Sequence, residues 1–464
     1  MAKRYLIDTY GCQMNVHDSE RMAGLLEQAG YEPATDASEA DLVIINTCSV
    51  REHAEDKLYT RLGELRVLGN QTSRPPVVAV TGCVAQQEGT ALLRGTNGQL
   101  IDVVVGTQQI KRLPMLVAEA EARADRSAIV TTAPWDDVTF PLGLTRRTDA
   151  VKAYVTIIEG CNDHCAFCVV PSTRGHERMR SRQEILAEVA EAVASGRPEI
   201  HLLGQIVNHY RAPDTPAYGF ADLLADVDRT PGVERIRFAS PHPRHTDAAL
   251  IEAIRTLPRV CKHLHLPVQS GSSRILHLMR RRHDRQAYLD LVARLREQIP
   301  GIALSTDMIV GFPGETEADF EDTLSLTERV RFQSMFSFKY SPRPGTLASR
   351  RMPDDVSEAD KTRRIVALQT LQRRIQTELH ERAVGTTIPV LIDSASRKRD
   401  GDISGRTMGN MVVSLEAPSG SNPEHWIGRT LPVVIERAGP HSLRGHALDP
   451  SPPHATPLQH EDVS

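Results

Sequence analysis

The sequence predicts an α/β protein of several domains: an N-terminal open parallel sheet, a central partial (β/α)6 TIM-like barrel, and a small C-terminal all-β barrel. Three observations carry this. Short apolar runs alternate with helix-periodic stretches from Tyr5 onward, which is the pattern of a parallel sheet. Six further runs of that kind follow Val151, too few to close an eight-stranded barrel. After Thr386 the apolar period drops to two, at Ile388, Val390 and Ile392, as in a small β-barrel. A chain of 464 residues is also too long for one ordinary core.

In the N-terminal segment the strand-like runs are Tyr5 to Thr9, Leu42 to Thr47 and Val77 to Thr81, each closely followed by a cysteine: Cys12, Cys48 and Cys83. The intervals of 36 and 35 residues each hold about one βα unit. Helical pattern fills them, as at Ser19 to Ala29, and a further run, Asp102 to Val105, completes the sheet. Loops that follow parallel strands all leave at the carboxyl edge, where ligands bind. Three thiols far apart in sequence therefore converge, as an open metal-cluster site or, on the plainer reading, as three independent core cysteines.

Residues 121–146 mix charges with Pro134, Pro141 and Gly143 and read as a linker with a short strand at Ala128 to Thr131. The central runs are Ala153 to Ile158, Ile200 to Leu203, Arg235 to Phe238, His263 to Pro267, Leu304 to Val310 and Met335 to Tyr340. On the loop after the first stands Cys161-Asn162-Asp163-His164-Cys165-Ala166-Phe167-Cys168. Three thiolates at such intervals suit an iron–sulfur cluster with one iron free of protein ligand. A structural zinc site is the alternative and would need a fourth ligand, for which His164 sits awkwardly beside Cys165.

The spacing of Cys161, Cys165 and Cys168, with Phe167 before the last, resembles the radical S-adenosylmethionine (SAM) superfamily. That resemblance implies a [4Fe-4S] cluster whose free iron holds SAM, with Phe167 a candidate cofactor contact. The blocks Tyr10-Gly11-Cys12-Gln13-Met14-Asn15, Asn46-Thr47-Cys48 and Thr81-Gly82-Cys83 narrow the resemblance to the methylthiotransferases. In that family Cys12, Cys48 and Cys83 would hold a second [4Fe-4S] cluster that supplies or carries sulfur. Gln13, Asn15 and Asn46 could hydrogen-bond the cluster sulfurs, or be turn and cap residues, the plainer reading. Polar loops follow the barrel strands, and Gln205, Asn208, Ser240 and Gln269 on them are candidates for holding the ribose and carboxylate of SAM. Ile206 and Ser172 depart from the family pattern. The basic run Arg174, Arg178, Arg180 and Arg182 could meet phosphates, or be a solvated helix entry.

One helix, Glu358 to Ala383, follows the barrel, and the β module after it resembles the TRAM domain, which binds RNA; Gly405-Arg406-Thr407, Asn410 and Val412 carry that likeness, with Met411 a departure. Its charge is nearly balanced, so binding there would rest on Arg397, Lys398, Arg399 and Arg406 or on shape. The organisation expected is 1–120 for the cluster-bearing N-terminal domain, 121–146 linker, 147–382 radical SAM core, 383–448 TRAM domain and 449–464 disordered tail.

The block from Tyr10 to Asn15 most resembles the branch that adds a methylthio group to carbon 2 of N6-isopentenyladenosine beside the anticodon of tRNA. That branch implies a tRNA substrate, an electron-donor protein, a sulfur source and a monomeric enzyme. Sister branches act on threonylcarbamoyladenosine in tRNA or on a ribosomal protein; a non-catalytic iron–sulfur or zinc RNA-binding protein is the alternative of another class. A net charge of -4 is too near zero to argue for or against nucleic acid. Seven cysteines, an odd number, do not make a disulfide framework. With no signal-peptide pattern at Met1 to Asp8 and no long apolar run, the expectation is a cytoplasmic protein that spans no membrane. Cys261, outside both thiol sets, reads as core.

Overall fold

The computed structural model describes residues 2–49, 52–71, 75–123, 125, 127–134, 141–396, 399–418 and 422–448. Two compact units divide the chain, Met1–Gln372 and Arg373–Ser464.

The first unit opens with a six-stranded sheet in the order Glu32–Pro33, Arg4–Tyr10, Leu42–Thr47, Val77–Thr81, Val103–Val105, Ile129–Thr131. Every pairing is parallel. The central strand Leu42–Thr47 is buried along its whole length, as a strand covered by helices on both faces must be. Two apolar layers provide that cover, one with Met22, Leu26 and Leu116 and the other with Leu58, Leu62 and Leu92. Ile129–Thr131 pairs with Val103–Val105, so the sheet runs into the stretch expected to be linker. Leu144, at the far end of that stretch, is packed too: its carbonyl lies against Gly24, where a Cβ would come within 1.3 Å of it.

The barrel strands are Lys152–Thr156, Glu199–Leu203, Arg235–Phe238, His263–His265, Ala303–Val310 and Ser334–Lys339. They form two parallel triplets, joined in sequence order by the parallel bridge from Ile236 to Val260. The result is the incomplete six-stranded barrel that the alternation predicts. Its outward side chains, among them Val155, Leu202, Ile236, Leu264 and Met308, pack under the helices. The inward positions are polar: Glu199 and His201, Arg235 and Arg237, His263 and His265, Ser305 and Asp307. They satisfy one another. Glu199 accepts from Arg237 at 3.2 Å and pairs with His201 at 2.5 Å, while Ser305 Oγ lies 3.0 and 2.9 Å from the rings of His263 and His265.

In the second unit Thr387–Ala395, Asp402–Thr407, Val412–Glu416, Leu443–Ala447 and Thr430–Ala438 close a five-stranded barrel around Val390, Ile403, Leu415, Trp426 and Val433. Arg406 is engaged on the barrel's outer wall, donating to Asn410 at 3.2 Å and facing Asp393 at 3.5 Å. Arg397, Lys398 and the expected tail, 449–464, lie outside the described residues. No described helix is long and apolar enough to cross a membrane.

Candidate active site with two sets of thiols

Each N-terminal cysteine stands where a strand of the sheet ends. Cys12 caps the helix Gln13–Gln28, Cys48 follows Leu42–Thr47, and Cys83 is the second residue of the helix Gly82–Glu88. The helix after Cys12 begins several residues before the periodic stretch from Ser19; in its first turns Met14 is buried beside the polar Asn15, His17 and Asp18, so the apolar period is broken there. Glycine lets the three loops meet. A Cβ on Gly11 would fall 2.7 Å from Cys48 Cβ, and one on Gly82, whose φ is +90°, would fall 2.4 Å from Asn46 Oδ1. Asn15 and Asn46 then tie the loops together: Asn15 Nδ2 donates to Asn46 Oδ1 at 3.1 Å, and Asn46 Nδ2 donates to the Asn15 carbonyl at 2.8 Å. These amides are therefore more than local caps, and Asn15 Oδ1 also accepts from Cys12 Sγ at 3.3 Å. Gln13 is exposed. A hydrogen bond from Cys48 pulls the Cys12 thiol below its ordinary range, while burial pushes Cys83 up.

The central loop is fixed at its ends and in its middle. Cys161 N donates to the Gly175 carbonyl at 3.1 Å, and Cys168 N donates to the Cys165 carbonyl at 3.1 Å. Ala166 is held on both sides, its N–H to the Met279 carbonyl at 3.0 Å and its carbonyl to Ala348 N at 2.8 Å. Each sulfur faces an N–H: Asp163 N to Cys161 Sγ at 3.4 Å, Val170 N to Cys168 Sγ at 3.4 Å, and Arg281 Nη1 to Cys165 Sγ at 3.5 Å. Burial nevertheless pushes the Cys161 thiol up to about 11 and the Cys168 thiol up to about 12. Buried thiols that already face donors are poised for a cation, which would take them as thiolates. Among the described residues no group of three or more His, Cys, Asp or Glu stands in a ready-made metal cage. His164 is exposed. The donor set, three soft sulfurs with backbone and guanidinium N–H groups aimed at them, fits an iron–sulfur cluster.

The remaining site candidates divide. Phe167 packs with Ala166, Ile275, Met279 and Phe312 under the loop. Asn208 has its amide spent on the rim itself: Nδ2 donates to the His242 carbonyl at 2.9 Å and to Thr246 Oγ1 at 3.2 Å, and Oδ1 accepts from His242 N at 2.8 Å. It ties the loop after the second barrel strand to the loop after the third. Gln205 keeps a buried Oε1 with no hydrogen-bond partner, an acceptor available to a ligand. Ser240 and Gln269 both adopt positive φ, 59° and 78°, a costly backbone for non-glycine residues that is concentrated at functional loops. Ile206 is buried, and Ser172 lines a cavity of about 220 Å³ with Gln86, Gln108 and His176. Cys261 is core, as expected, at 2 % exposure.

The basic run does not form a phosphate-facing surface. Arg174 and Arg180 turn inward to Asp18 and Glu188, and Arg182 pairs with Asp226. Sequence reading missed what they build, a buried polar seam between the N-terminal sheet and the barrel. The helix that starts at Cys12 supplies one side of it. His17 Nδ1 meets Thr156 Oγ1 at 2.9 Å, His17 Nε2 lies 3.5 Å from Glu188, Asp18 pairs with Arg174 at 2.7 Å, and Arg21 pairs with Glu159 at 3.1 Å. Also missed was a group of histidines on the barrel rim, with His209 stacked on His245 at 4.4 Å and His242 edge-on to His283 at 5.6 Å.

Comparison with known proteins agrees with this layout. Residues 4–106 match the uncharacterized protein family UPF0004, residues 155–327 the radical SAM superfamily and residues 381–448 the TRAM domain. A radical S-adenosylmethionine methyltransferase, TsrM, from Kitasatospora setae shares the fold over 87% of this chain and 77% of its own, with TM-score 0.52 and 14% identity. The tRNA-2-methylthio-N(6)-dimethylallyladenosine synthase of Acetivibrio thermocellus is 43% identical over 96% of this chain and 90% of its own. That of Moorella thermoacetica is 43% identical over 96% and 99%, and that of Maricaulis maris 44% over 96% and 97%. With relatives this similar along nearly its whole length, the chain belongs to the family of tRNA-2-methylthio-N(6)-dimethylallyladenosine synthases within the radical SAM superfamily.

Proposed function

We propose that this protein is a radical SAM transferase that inserts sulfur and methylates it, adding a methylthio group to carbon 2 of N6-isopentenyladenosine in tRNA, next to the anticodon. The observation that carries the reading is the pair of three-thiol sets within one compact unit, in a chain 43% identical to synthases of that name. Cys161, Cys165 and Cys168 hold one [4Fe-4S] cluster and Cys12, Cys48 and Cys83 the other. When bound, the first supplies the electron that turns SAM into a radical source, and the second the sulfur; an aromatic C–H bond has no acidic proton to remove, so radical chemistry suits it.

The chain's own residues hold and shield these groups. Backbone N–H groups of Asp163 and Val170 and the guanidinium of Arg281 steady the central sulfurs. Gln205 and the strained loops at Ser240 and Gln269 bind SAM, Asn208 holds two of the rim loops in register, and Phe167 closes the floor. The TRAM barrel binds tRNA. An external electron donor and a sulfur source complete the system, the enzyme works as a monomer in the cytoplasm, and the domains run 1–120, 147–382 and 383–448, the first extended by the strand to Thr131. Names of the relatives favour this branch over the sister substrates and over a non-catalytic RNA-binding protein.

The test is anaerobic incubation of reconstituted protein with SAM, reductant and tRNA that carries isopentenyladenosine without the methylthio group. Mass spectrometry of the nucleosides should show the methylthio product with wild type and none with a Cys161/Cys165/Cys168 triple Ala variant. Product on tRNA carrying threonylcarbamoyladenosine instead would move the enzyme to the sister branch. Absence of SAM cleavage under reduction would leave only the RNA-binding alternative.

A further inference from the structure

Arg174 follows directly on the central thiol loop, yet its guanidinium belongs to the other thiol set. Its backbone is pinned from two directions: Arg174 N donates to the Val170 carbonyl at 2.8 Å, and its carbonyl accepts from Gln108 Nε2 at 3.0 Å. Beside it Thr107 Oγ1 donates to the Thr173 carbonyl at 2.5 Å. The side chain, 7% exposed, donates from Nη2 to Asp18 Oδ2 at 2.7 Å. Its positive charge lies within electrostatic reach of both the Cys83 and the Cys12 thiols. Asp18 stands six residues along the helix that Cys12 caps. One buried cation thus pairs with a carboxylate and stands in the field of two of the three N-terminal sulfurs, and a guanidinium does not shed its proton in a protein.

Resting on the two-cluster reading above, we infer that Arg174 and Asp18 form a charge pair that sets the reduction potential of the N-terminal cluster, with Arg174 favouring the reduced state and Asp18 opposing it. Reduction adds one electron to a cluster held by thiolates; a fixed positive charge near its ligand sulfurs stabilises the added charge, and a fixed negative charge beside it does the reverse. The geometry is lopsided in a useful way. The cation comes from the radical SAM segment and the anion from the N-terminal domain, so the potential depends on the two domains being docked.

The experiment uses the full chain, anaerobically reconstituted, on a Cys161/Cys165/Cys168 triple Ala background so that only the N-terminal cluster titrates. Redox titration followed by electron paramagnetic resonance reads its midpoint in the background protein and with Arg174→Gln, Arg174→Lys or Asp18→Asn added. Arg174→Gln should shift the reduced-to-oxidised ratio at a given potential at least tenfold toward oxidised, a fall in midpoint of about 59 mV for one electron. Asp18→Asn should move the midpoint the opposite way, and Arg174→Lys should stay near the background value. A merely structural role would move Arg174→Gln and Asp18→Asn together. Shifts of the same sign, or no shift in either, overturn the inference. If Arg174→Gln loses its iron, Asp18→Asn decides alone: a rise supports the charge pair and an unchanged or lowered midpoint overturns it. No cluster signal in the background protein would instead sink the two-cluster reading, and this inference with it.

Discussion

The two thiol sets solve one problem in opposite ways. Cys161, Cys165 and Cys168 share a single loop, and their spacing is enough to bring them together. Cys12, Cys48 and Cys83 sit on three loops, brought together only because the sheet puts its carboxyl ends on one edge. The first is therefore a local device that one strand and one turn can present, while the second exists only once a domain has folded. Their supports follow suit. Backbone N–H groups and Arg281 serve the loop, whereas the N-terminal set needs two glycines, an asparagine pair and an arginine from the other domain.

The largest way to break the comparison is to attack the seam shared by both sites. Glu188 is buried between Arg180 and Arg147, with His17 beside it, so Glu188→Ala leaves the two guanidiniums buried without their anion and should cost about 3–5 kcal/mol, read by denaturant unfolding, with iron lost from both sites. Gly82→Ala should be more selective. Alanine at φ +90° with a Cβ 2.5 Å from the Thr47 carbonyl should cost about 2–4 kcal/mol and strip iron from the N-terminal set while the central cluster stays. Asn46→Ala, which removes the tie between the Cys12 and Cys48 loops, should act in the same direction at about 1–3 kcal/mol.

Acid should loosen the seam before it affects either loop. Burial holds His17 neutral, lowered from 6.5 to about 4, so the unfolded chain binds its proton first and stability falls as pH drops from about 6.5 toward 4. Glu188 is held below its ordinary 4.5, and its contribution, present above that value, is lost at still lower pH. Thermal unfolding midpoints should therefore decline below pH 6.5, and His17→Gln, which has nothing to protonate, should flatten the first part of that decline. The smallest effect is expected at Arg182, whose ion pair with Asp226 is half exposed; Arg182→Ala should change stability by less than about 1 kcal/mol and leave iron content at both sites unchanged.

How far each site was legible in the sequence follows from the same contrast. The central cysteine loop, the six barrel strands and the strand-to-cysteine pattern of the N-terminal domain are local signals, and the structure places those elements where the pattern puts them. Partners across long separations were not legible. Arg174 reads as a surface cation because its partner, Asp18, lies 156 residues away, and Asn15 reads as a turn residue because Asn46 is 31 residues on. The strand at Ile129–Thr131 was legible, but not its place as the sixth strand of the N-terminal sheet, because its partner Val103–Val105 lies beyond an intervening helix. The barrel's polar lining was visible in principle. Glu199 with His201, Arg235 with Arg237 and His263 with His265 alternate with apolar residues, the period-two signature of strands with one wet face.

The most direct test of the central claim is iron and sulfide content per chain in anaerobically reconstituted wild type, in the Cys161/Cys165/Cys168 triple Ala variant and in the Cys12/Cys48/Cys83 triple Ala variant. Two independent sites of the [4Fe-4S] type predict about eight irons in wild type and about four in each variant, with deoxyadenosine release from SAM abolished only when the central loop is removed. About four irons in wild type, or zinc in place of iron, would contradict the account and return the N-terminal thiols to the core.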